Sequence, residues 1–179
     1  MTETTERSPG SPDPLQIRDI KAKDADAEEL VRHHMMLAMA GGLIPIPLLD
    51  IAAITSVQLD MLKRLAENYE VEFDSGSSRA FVTSLVSALG VSTAARFGAS
   101  AVKLLPGIGT LAGGLAQAGL TGANTYAVGM LFKRLFREGQ SIEALTPDMV
   151  REEAESYLQA GIKYARELSE QGLFRRGEK

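Results

Sequence analysis

The sequence contains no cysteine and no tryptophan, and aromatic residues make up only 6% of it. Without cysteine the chain cannot form disulfide bonds, thiolate nucleophiles or cysteine-based zinc sites, and this fits a reducing compartment. Most of its apolar residues are Ala, Leu, Ile, Val and Met. That composition favours helices over β-sheets.

Residues that carry catalysis or bind metals are also scarce. The two histidines, His33 and His34, are adjacent. Neighbouring residues on a helix point about 100° apart, so they cannot chelate a metal as an i, i+4 pair. There is no GxxxxGK[ST] or GxSxG motif, and no partner for a catalytic pair lies in sequence range of Asp50. We therefore predict no enzyme activity and no catalytic, cofactor-binding or metal-binding residues.

Acidic residues are missing from the middle of the chain, between Ser75 and Arg137. The stretch is either the buried half of the fold, whose few charges happen to be basic, or a face for anionic lipid or an acidic partner. On the second interpretation, the candidate contacts with an anionic surface are its basic residues Arg96, Lys103, Lys133, Arg134 and Arg137. The net charge of −4 by itself indicates nothing about partners, and we expect no nucleic-acid partner.

The N-terminus is polar and rich in proline, with no apolar segment of the signal-peptide type. We expect residues 1–14 to be a disordered tail and the protein to be cytoplasmic, or bound peripherally or integrally at the inner membrane. The segment Leu104–Phe132 has no charge and seven glycines. As a helix it is long enough to cross a bilayer core of about 30 Å. Because each glycine costs an isolated helix about 1 kcal/mol, close packing or lipid must offset them.

Periodicity and capping residues predict an all-α fold of about five helices, in a single domain over residues 24–171. A first helix should run from about Asp24 to Gly41, capped by Asp24 or Asp26, after a charged lead-in of unassigned structure at 15–23. Pro47 is placed to begin a second helix that runs to about Tyr69. Its apolar residues recur at helical spacing, with charged residues elsewhere around the wheel.

Three more helices are predicted. Ser77 or Ser78 can cap the third, which should end at Leu105-Pro106-Gly107 and carries many small residues. The fourth should occupy 107–132. The last, 147–171, has Thr146 as its cap, Pro147 at its start and a stripe made of Val150, Ala154, Tyr157, Leu158, Gly161, Ile162, Ala165 and Leu168.

The four central helices look like two apolar hairpins, each broken by proline and loosely similar to the other. LIPIPLLDIAA and LLPGIGTLAGG lead into their second helices, and an ML-(x)-KRL block follows in both. We expect the hairpins to pack together, with the C-terminal amphipathic helix added. The glycines of 107–113 lack the preceding strand and following acid of a dinucleotide site, so close helix packing is the preferred interpretation.

Several side chains within the hairpins admit more than one interpretation. Asp50 is either a first-turn carboxylate at the positive end of its helix or a functional contact. Met35, Met36 and Met39 are taken as core residues rather than as a binding groove. Asn124, Thr125 and Tyr126 need hydrogen-bond partners inside an apolar helix, and we expect these to come from neighbouring helices.

The blocks LIPIPLLDIAAITSVQLDMLKRLAENYEVEF and KLLPGIGTLAGG followed by TYAVG resemble an uncharacterised bacterial domain family. This family includes the inner-membrane protein YcjF and often follows Era-like GTPase domains. The resemblance covers about residues 30–137 and has two marks, I-P-I-P-x-x-D and P-G-[IV]-G followed by T-Y-A-x-G. It implies a helical domain with two apolar hairpins, membrane association in some members and a GTPase partner. The signature positions in this chain are Pro45, Pro47, Asp50, Pro106, Gly107, Gly109 and Tyr126.

The leading hypothesis is a non-enzymatic helical module that associates with the cytoplasmic membrane face and with a protein partner, which the resemblance suggests is a GTPase. One alternative is a soluble helical scaffold that self-associates, with both hairpins buried in its core or in a homo-oligomer interface. Another is a carrier that holds an apolar ligand between the hairpins.

Overall fold

The structure is a computed structural model, which describes residues 14–41, 49–101, 109–140 and 145–171. Within these ranges the chain forms five helices and no strand, which confirms the all-α prediction. They are α1 (Pro14–Gly41), α2 (Leu49–Tyr69), α3 (Ser75–Ala101), α4 (Gly109–Arg137) and α5 (Pro147–Glu170). The predicted breaks at Pro45, Pro47, Pro106 and Gly107 lie outside the described residues.

The first helix is longer than the sequence predicted. It begins at Pro14 and includes the charged lead-in, so the predicted start near Asp24 is wrong. Proline is a favoured first helical residue, and the lead-in consists of residues that sustain a helix. Asp24 resembles a cap in sequence, but its carboxylate accepts a hydrogen bond from the hydroxyl of Tyr69 in α2, at 2.7 Å.

The start of α3 also differs from the prediction. The helix begins at Ser75, so Ser77 and Ser78 lie in its first turn rather than before it. The amide of Ser78 donates to the carbonyl of Asp74, which is another residue type that favours the cap position. At α5 the predicted start at Pro147 is confirmed, but the side chain of Thr146 makes no capping hydrogen bond.

Contacts between the helices fix their directions. Asp24 and His34 of α1 meet Tyr69 and Asp60 of α2, so these two helices are antiparallel. Within the described residues, α4 packs against all four other helices, whereas α1 and α5 both pack on α4 but not on each other. The fourth helix is therefore the central element of the bundle.

The core is continuous from α1 to α5 and is centred on the C-terminal two thirds of α4. Phe132 is fully buried, and its ring makes edge contacts with Phe81 of α3 and Phe136 at centroid distances of 5.8 and 5.5 Å. The stripe predicted for α5 is confirmed, because its buried residues are Val150, Ala154, Leu158, Gly161, Ala165 and Leu168. Met35 and Met39 are buried as core residues, while Met36 is exposed.

Glycines allow α4 to approach its neighbours closely. A side chain at Gly129 would meet Val31 at 2.7 Å and Met61 at 2.9 Å. From the other side, Gly161 of α5 lies so close to α4 that a Cβ atom there would be 2.9 Å from the carbonyl oxygen of Ala123. Close packing thus accounts for glycines in the described part of the charge-free segment, as the sequence analysis required.

Candidate functional site

Acidic residues of α1 neutralise two basic residues of the acid-free stretch. The ammonium of Lys133 lies 2.6 Å from Glu28 Oε1, and only 10% of the lysine side chain is exposed. One turn further along α4, Arg137 Nη1 is 3.2 Å from Asp24 Oδ2. These pairs link the first half of α1 to the last turns of α4.

The same acidic residues connect α1 to the end of α2. Asp24 accepts the hydrogen bond from Tyr69, and the pKa of this tyrosine is raised by burial, by that hydrogen bond and by the negative charge of Asp24. Next to it, Lys23 Nζ lies 2.7 Å from Glu70 Oε1. Glu70 has a positive φ of 58°, so this ion pair is made by the residue at which the chain leaves α2.

Arg134 connects α4 to α5. Its Nε is 2.6 Å from Glu153 Oε1, and its Nη1 is 2.7 Å from Glu138 Oε2. Burial disfavours the charged guanidinium, but the two carboxylates outweigh it and raise the pKa of Arg134. Ion pairs with α1 and α5 therefore gather at one end of α4, which we call the charged end and define by Asp24, Glu28, Lys133, Arg134, Arg137 and Glu153.

The predicted anionic-surface contacts can now be placed. Lys133, Arg134 and Arg137 each face a carboxylate of the same chain, because the acids that precede and follow the acid-free stretch fold back onto it. Lys133 is in addition buried. The side chain of Arg96 and all of Lys103 lie outside what the structure describes, so a contact with an anionic surface stays a prediction for them.

The opposite end of the bundle has few ionisable residues in helices α1 to α4. It contains the last turns of α1 and α3 and the first turns of α2 and α4, because α1 runs antiparallel to α2 and α4 and the connections are short. In this region the sequence has only Asp50, Arg96 and Lys103 as charged residues, within the ranges 35–59 and 80–132. We call it the apolar end. Asp50 is the second residue of α2 and Gly109 the first of α4.

His34 is one of the buried polar residues between the two ends. Its Nδ1 lies 2.8 Å from the carbonyl oxygen of Leu30, and its Nε2 lies 3.1 Å from Asp60 Oδ2. Asp60 also accepts a hydrogen bond from Arg64. The hydrogen bond from His34, with the one from Arg64, lowers the pKa of Asp60 despite partial desolvation. His34 thus joins α1 to α2 rather than forming a metal site with His33.

A cleft opens where α1 and α5 separate over α4. It has a volume of about 230 Å³ and is lined by Arg32, Tyr126, Ala160, Lys163, Tyr164 and Glu167. The rings of Tyr126 and Tyr164 are 6.3 Å apart at 47° and supply its aromatic surface. Burial, then the charge of Glu28, raises the pKa of Tyr126, so its hydroxyl remains a donor at neutral pH.

Among the described residues, the polar side chains Asn124, Thr125 and Tyr126 of α4 do not make the predicted interhelical hydrogen bonds. The hydroxyl of Thr125 donates to the carbonyl of Thr121 in its own helix, so the prediction is wrong for this residue. The side-chain oxygen of Asn124 is buried without a partner among the described residues.

Of the signature positions, only Tyr126 has a described side chain in a candidate site. Sequence reasoning did not find the rest of the cleft, since its residues come from three helices that are far apart in the chain. The only local signal is the pair Lys163 and Glu167 at i, i+4 on α5, which is typical of any exposed helix surface.

In the described part of the chain, no helix is both long enough and apolar enough to span a lipid bilayer. Nor do the described side chains include three or more histidines or acids grouped so that they could hold a metal ion.

The fold and its charges define a helical-bundle protein with a charged end, an apolar end and a lateral cleft. Residues 16–160 match the family described as Domain of unknown function (DUF697), and the chain belongs to it. The resemblance seen in the two sequence blocks is thereby confirmed as membership of an uncharacterised family.

A curated relative supports this assignment. Magnetosome membrane protein 22 of Magnetospirillum gryphiswaldense is 31% identical over 134 residues, which are 74% of this chain and 69% of the relative. No solved structure matches the chain.

Proposed function

We propose that this chain is a non-enzymatic helical module that binds the cytoplasmic face of a membrane through its apolar end. The observation that carries the proposal is the unequal distribution of charge along the bundle. Ion pairs with α1 and α5 satisfy the basic residues at the charged end. Toward the other end, in contrast, the sequence of α1 to α4 contains LIPIP and LLPGIG and only Asp50, Arg96 and Lys103 as charged residues. The last turns of α5 pack there through Ala165 and Leu168 and add the exposed charges Arg166, Glu167 and Glu170.

Two further points support membrane contact. Met36 and Leu37, toward the end of α1, are exposed, and exposed apolar side chains that lie together are typical of sites that meet other proteins or membranes. In addition, the relative in Magnetospirillum gryphiswaldense is itself named a membrane protein. Arg96 of α3 and Lys103, which follows α3 in the sequence, would add attraction to anionic lipid.

The test is flotation of the full chain with vesicles of phosphatidylethanolamine and phosphatidylglycerol. We expect the wild-type chain to float. The double substitution Leu43→Glu with Ile46→Glu should reduce the bound fraction at least tenfold, because carboxylates are costly to place against lipid. A matched control, Gln16→Glu with Ser156→Glu, adds the same charge to exposed positions of α1 and α5 outside the apolar end. It should leave flotation unchanged.

The competing function, a self-associating scaffold, gives a different result in the same experiments. A chain that stays at the bottom of the gradient contradicts membrane binding. If that chain is also an oligomer by light scattering, and Leu43→Glu with Ile46→Glu makes it monomeric, the apolar end is an interface between copies. Release of an apolar molecule on denaturation of a monomeric chain would instead favour the carrier function.

The second part of the proposal is a GTPase partner, which rests on the resemblance to domains that follow Era-like GTPases. An Era-like GTPase from the same genome, loaded with a GTP analogue, should comigrate with the full chain in size-exclusion chromatography. Absence of a complex in both nucleotide states would remove this part and leave the membrane proposal intact.

A further inference from the structure

We infer that the cleft between α1 and α5 is a binding site for a phosphate group, carried by a small molecule or by a lipid head group. The two cationic side chains that line it, Arg32 and Lys163, come from different helices. The packing of the helices therefore fixes the positions of both cations in the cleft. The site lies on the side of the bundle, so the inference does not depend on membrane binding.

The first observation is that both cations remain available. Arg32 Nη1 is 3.9 Å from Glu28 Oε2, while the other oxygen of Glu28 lies 2.6 Å from the buried ammonium of Lys133. The carboxylate is therefore engaged mainly by Lys133. Lys163 is exposed and has no ion pair among the described residues.

The second observation is that the wall of the cleft supplies neutral donors. Tyr126 and Tyr164 line it, and neither hydroxyl has a hydrogen-bond partner in the part of the chain that the structure describes. A phosphate group accepts several hydrogen bonds at once and takes them best from cations. Two cations and two hydroxyls around one opening match that requirement.

The volume of the cleft and its one lining carboxylate restrict the ligand further. A volume of about 230 Å³ accommodates a phosphate with a few attached atoms rather than a nucleotide. Glu167 is the one carboxylate of the lining, so the lining side chains have a net charge of +1 from two cations and one acid. An acid beside a phosphate site repels the phosphate, but it can accept a hydrogen bond from a hydroxyl or amine on the same ligand. We therefore expect glycerol phosphate to bind more tightly than inorganic phosphate.

The position of the cleft allows either source of phosphate. Arg32 precedes the end of α1 at Gly41 by nine residues, which is about 13 Å at 1.5 Å per residue. A lipid head group would reach this depth if the apolar end contacts the membrane, and a soluble phosphate would reach the open cleft from the solvent.

The experiment is an NMR titration of the 15N-labelled full chain at constant ionic strength with inorganic phosphate and with sn-glycerol 3-phosphate. We expect saturable shifts of the amides around Tyr126 and residues 160–167. Lys163→Gln and Arg32→Gln should each weaken binding about tenfold, because each removes a charged hydrogen bond. Arg166→Gln, which removes an exposed charge from α5 outside the cleft, should change affinity less than twofold. Glu167→Gln should tighten the binding of inorganic phosphate severalfold.

A parallel arm measures flotation with vesicles of phosphatidylcholine alone or with added phosphatidylglycerol. If Lys163→Gln, but not Arg166→Gln, reduces flotation, and does so only with vesicles that contain phosphatidylglycerol, the phosphate belongs to the lipid. If Lys163→Gln weakens binding only in the titration with soluble phosphates, the ligand is a free phosphate compound. The inference is overturned if no probe shows saturable binding at the cleft. It is equally overturned if Arg166→Gln weakens binding as much as Lys163→Gln, since attraction would then be non-specific.

Discussion

Lys133 shows how individual residues of the acid-free stretch are used. Its ammonium is almost fully removed from solvent, yet it lies 2.6 Å from Glu28, which is itself 41% exposed. The two partners therefore have unequal environments. Loss of the carboxylate leaves a buried cation with one interaction fewer, whereas loss of the cation leaves an acid that water can solvate.

This inequality predicts unequal effects of two substitutions. Glu28→Gln should lower the free energy of unfolding by about 2 kcal/mol, and Lys133→Met by less than about 1 kcal/mol, because methionine fills the space without a charge. Urea unfolding at pH 7 measures both. Equal losses would show that the pair acts as an ordinary exposed salt bridge.

Gly161 and Gly119 provide a matched pair of glycines at the contact between α4 and α5. A Cβ atom on Gly161 would lie 2.9 Å from the backbone oxygen of Ala123, whereas one on Gly119 would meet Ala165 at 3.9 Å, an ordinary contact. Gly161→Ala should thus destabilise the protein by about 1–3 kcal/mol, as in other overpacked cores. Gly119→Ala should stabilise it by up to about 1 kcal/mol through helix propensity. Thermal unfolding distinguishes them by sign, and two changes of the same sign would contradict this packing.

A residue's type predicted its role only where that role depends on its neighbours in the sequence. Pro147 started a helix as predicted, because that preference is local. Asp24 did not act as a cap, because its partners Tyr69 and Arg137 come from helices that are distant in the sequence. The cleft could not be predicted for the same reason, since Arg32 and Lys163 become neighbours only through their packing on α4.

At the scale of elements, α1 has two parts. The segment before Lys23 is exposed, including Leu15 and Ile20 at 64% and 45%. From Lys23 onward the helix makes the contacts of the charged end, including a hydrogen bond from Asn68 to the carbonyl of Lys23. This boundary lies beside Asp24, where the sequence predicted the helix to start, although the helix itself already begins at Pro14.

Truncation locates that boundary. Removal of residues 1–20 should change the free energy of unfolding by less than about 1 kcal/mol, which is a few degrees in Tm for a domain of this size. Removal of residues 1–24 also deletes the partners of Glu70, Tyr69 and Arg137, and should lower Tm clearly further. A large loss with the shorter deletion would show that the exposed segment is docked.

The number and type of elements could be predicted because caps, prolines and apolar periodicity act over a few residues. The central position of α4 could not be predicted in this way. Its glycines were compatible with lipid or with protein neighbours, and only the packing of Gly122 and Gly129 against α1 assigns them to protein. The absence of acids in this stretch likewise predicted burial or a basic surface. Lys133 is buried and ion-paired, whereas Arg137 is ion-paired but half exposed and Arg79 is exposed.

For the whole molecule, ionisable groups define a pH range of maximal stability. The pKa of Asp60 is lowered, first by the hydrogen bond from His34, from an ordinary value of 3.8. Its contribution is present above that value and is lost as the pH falls through the folded-state pKa. Burial raises the pKa of Tyr126 and Tyr157 above 10.0, so their contribution is complete below pH 10 and is lost as the pH rises through the folded-state values.

We therefore expect a plateau of stability between about pH 5 and pH 9, with losses on both sides. Asp60→Asn should reduce the stability lost on the acid side, and Tyr157→Phe should reduce the stability lost on the alkaline side, each without changing the other side. Urea midpoints measured from pH 3 to pH 11 test this. An acid side unchanged by Asp60→Asn would show that other carboxylates dominate it.

The central position of α4 also affects how the protein is made. The last helix covers one face of α4 but is synthesised after it. At about 5–20 residues per second, the 33 residues from Arg137 to Glu170 require roughly 2–7 seconds. During that interval the nascent chain displays Ala123, Phe132 and their apolar neighbours before α5 can bury them. Synthesis thus creates a period in which chaperones, or a nearby bilayer, compete with the chain's own last helix for this surface.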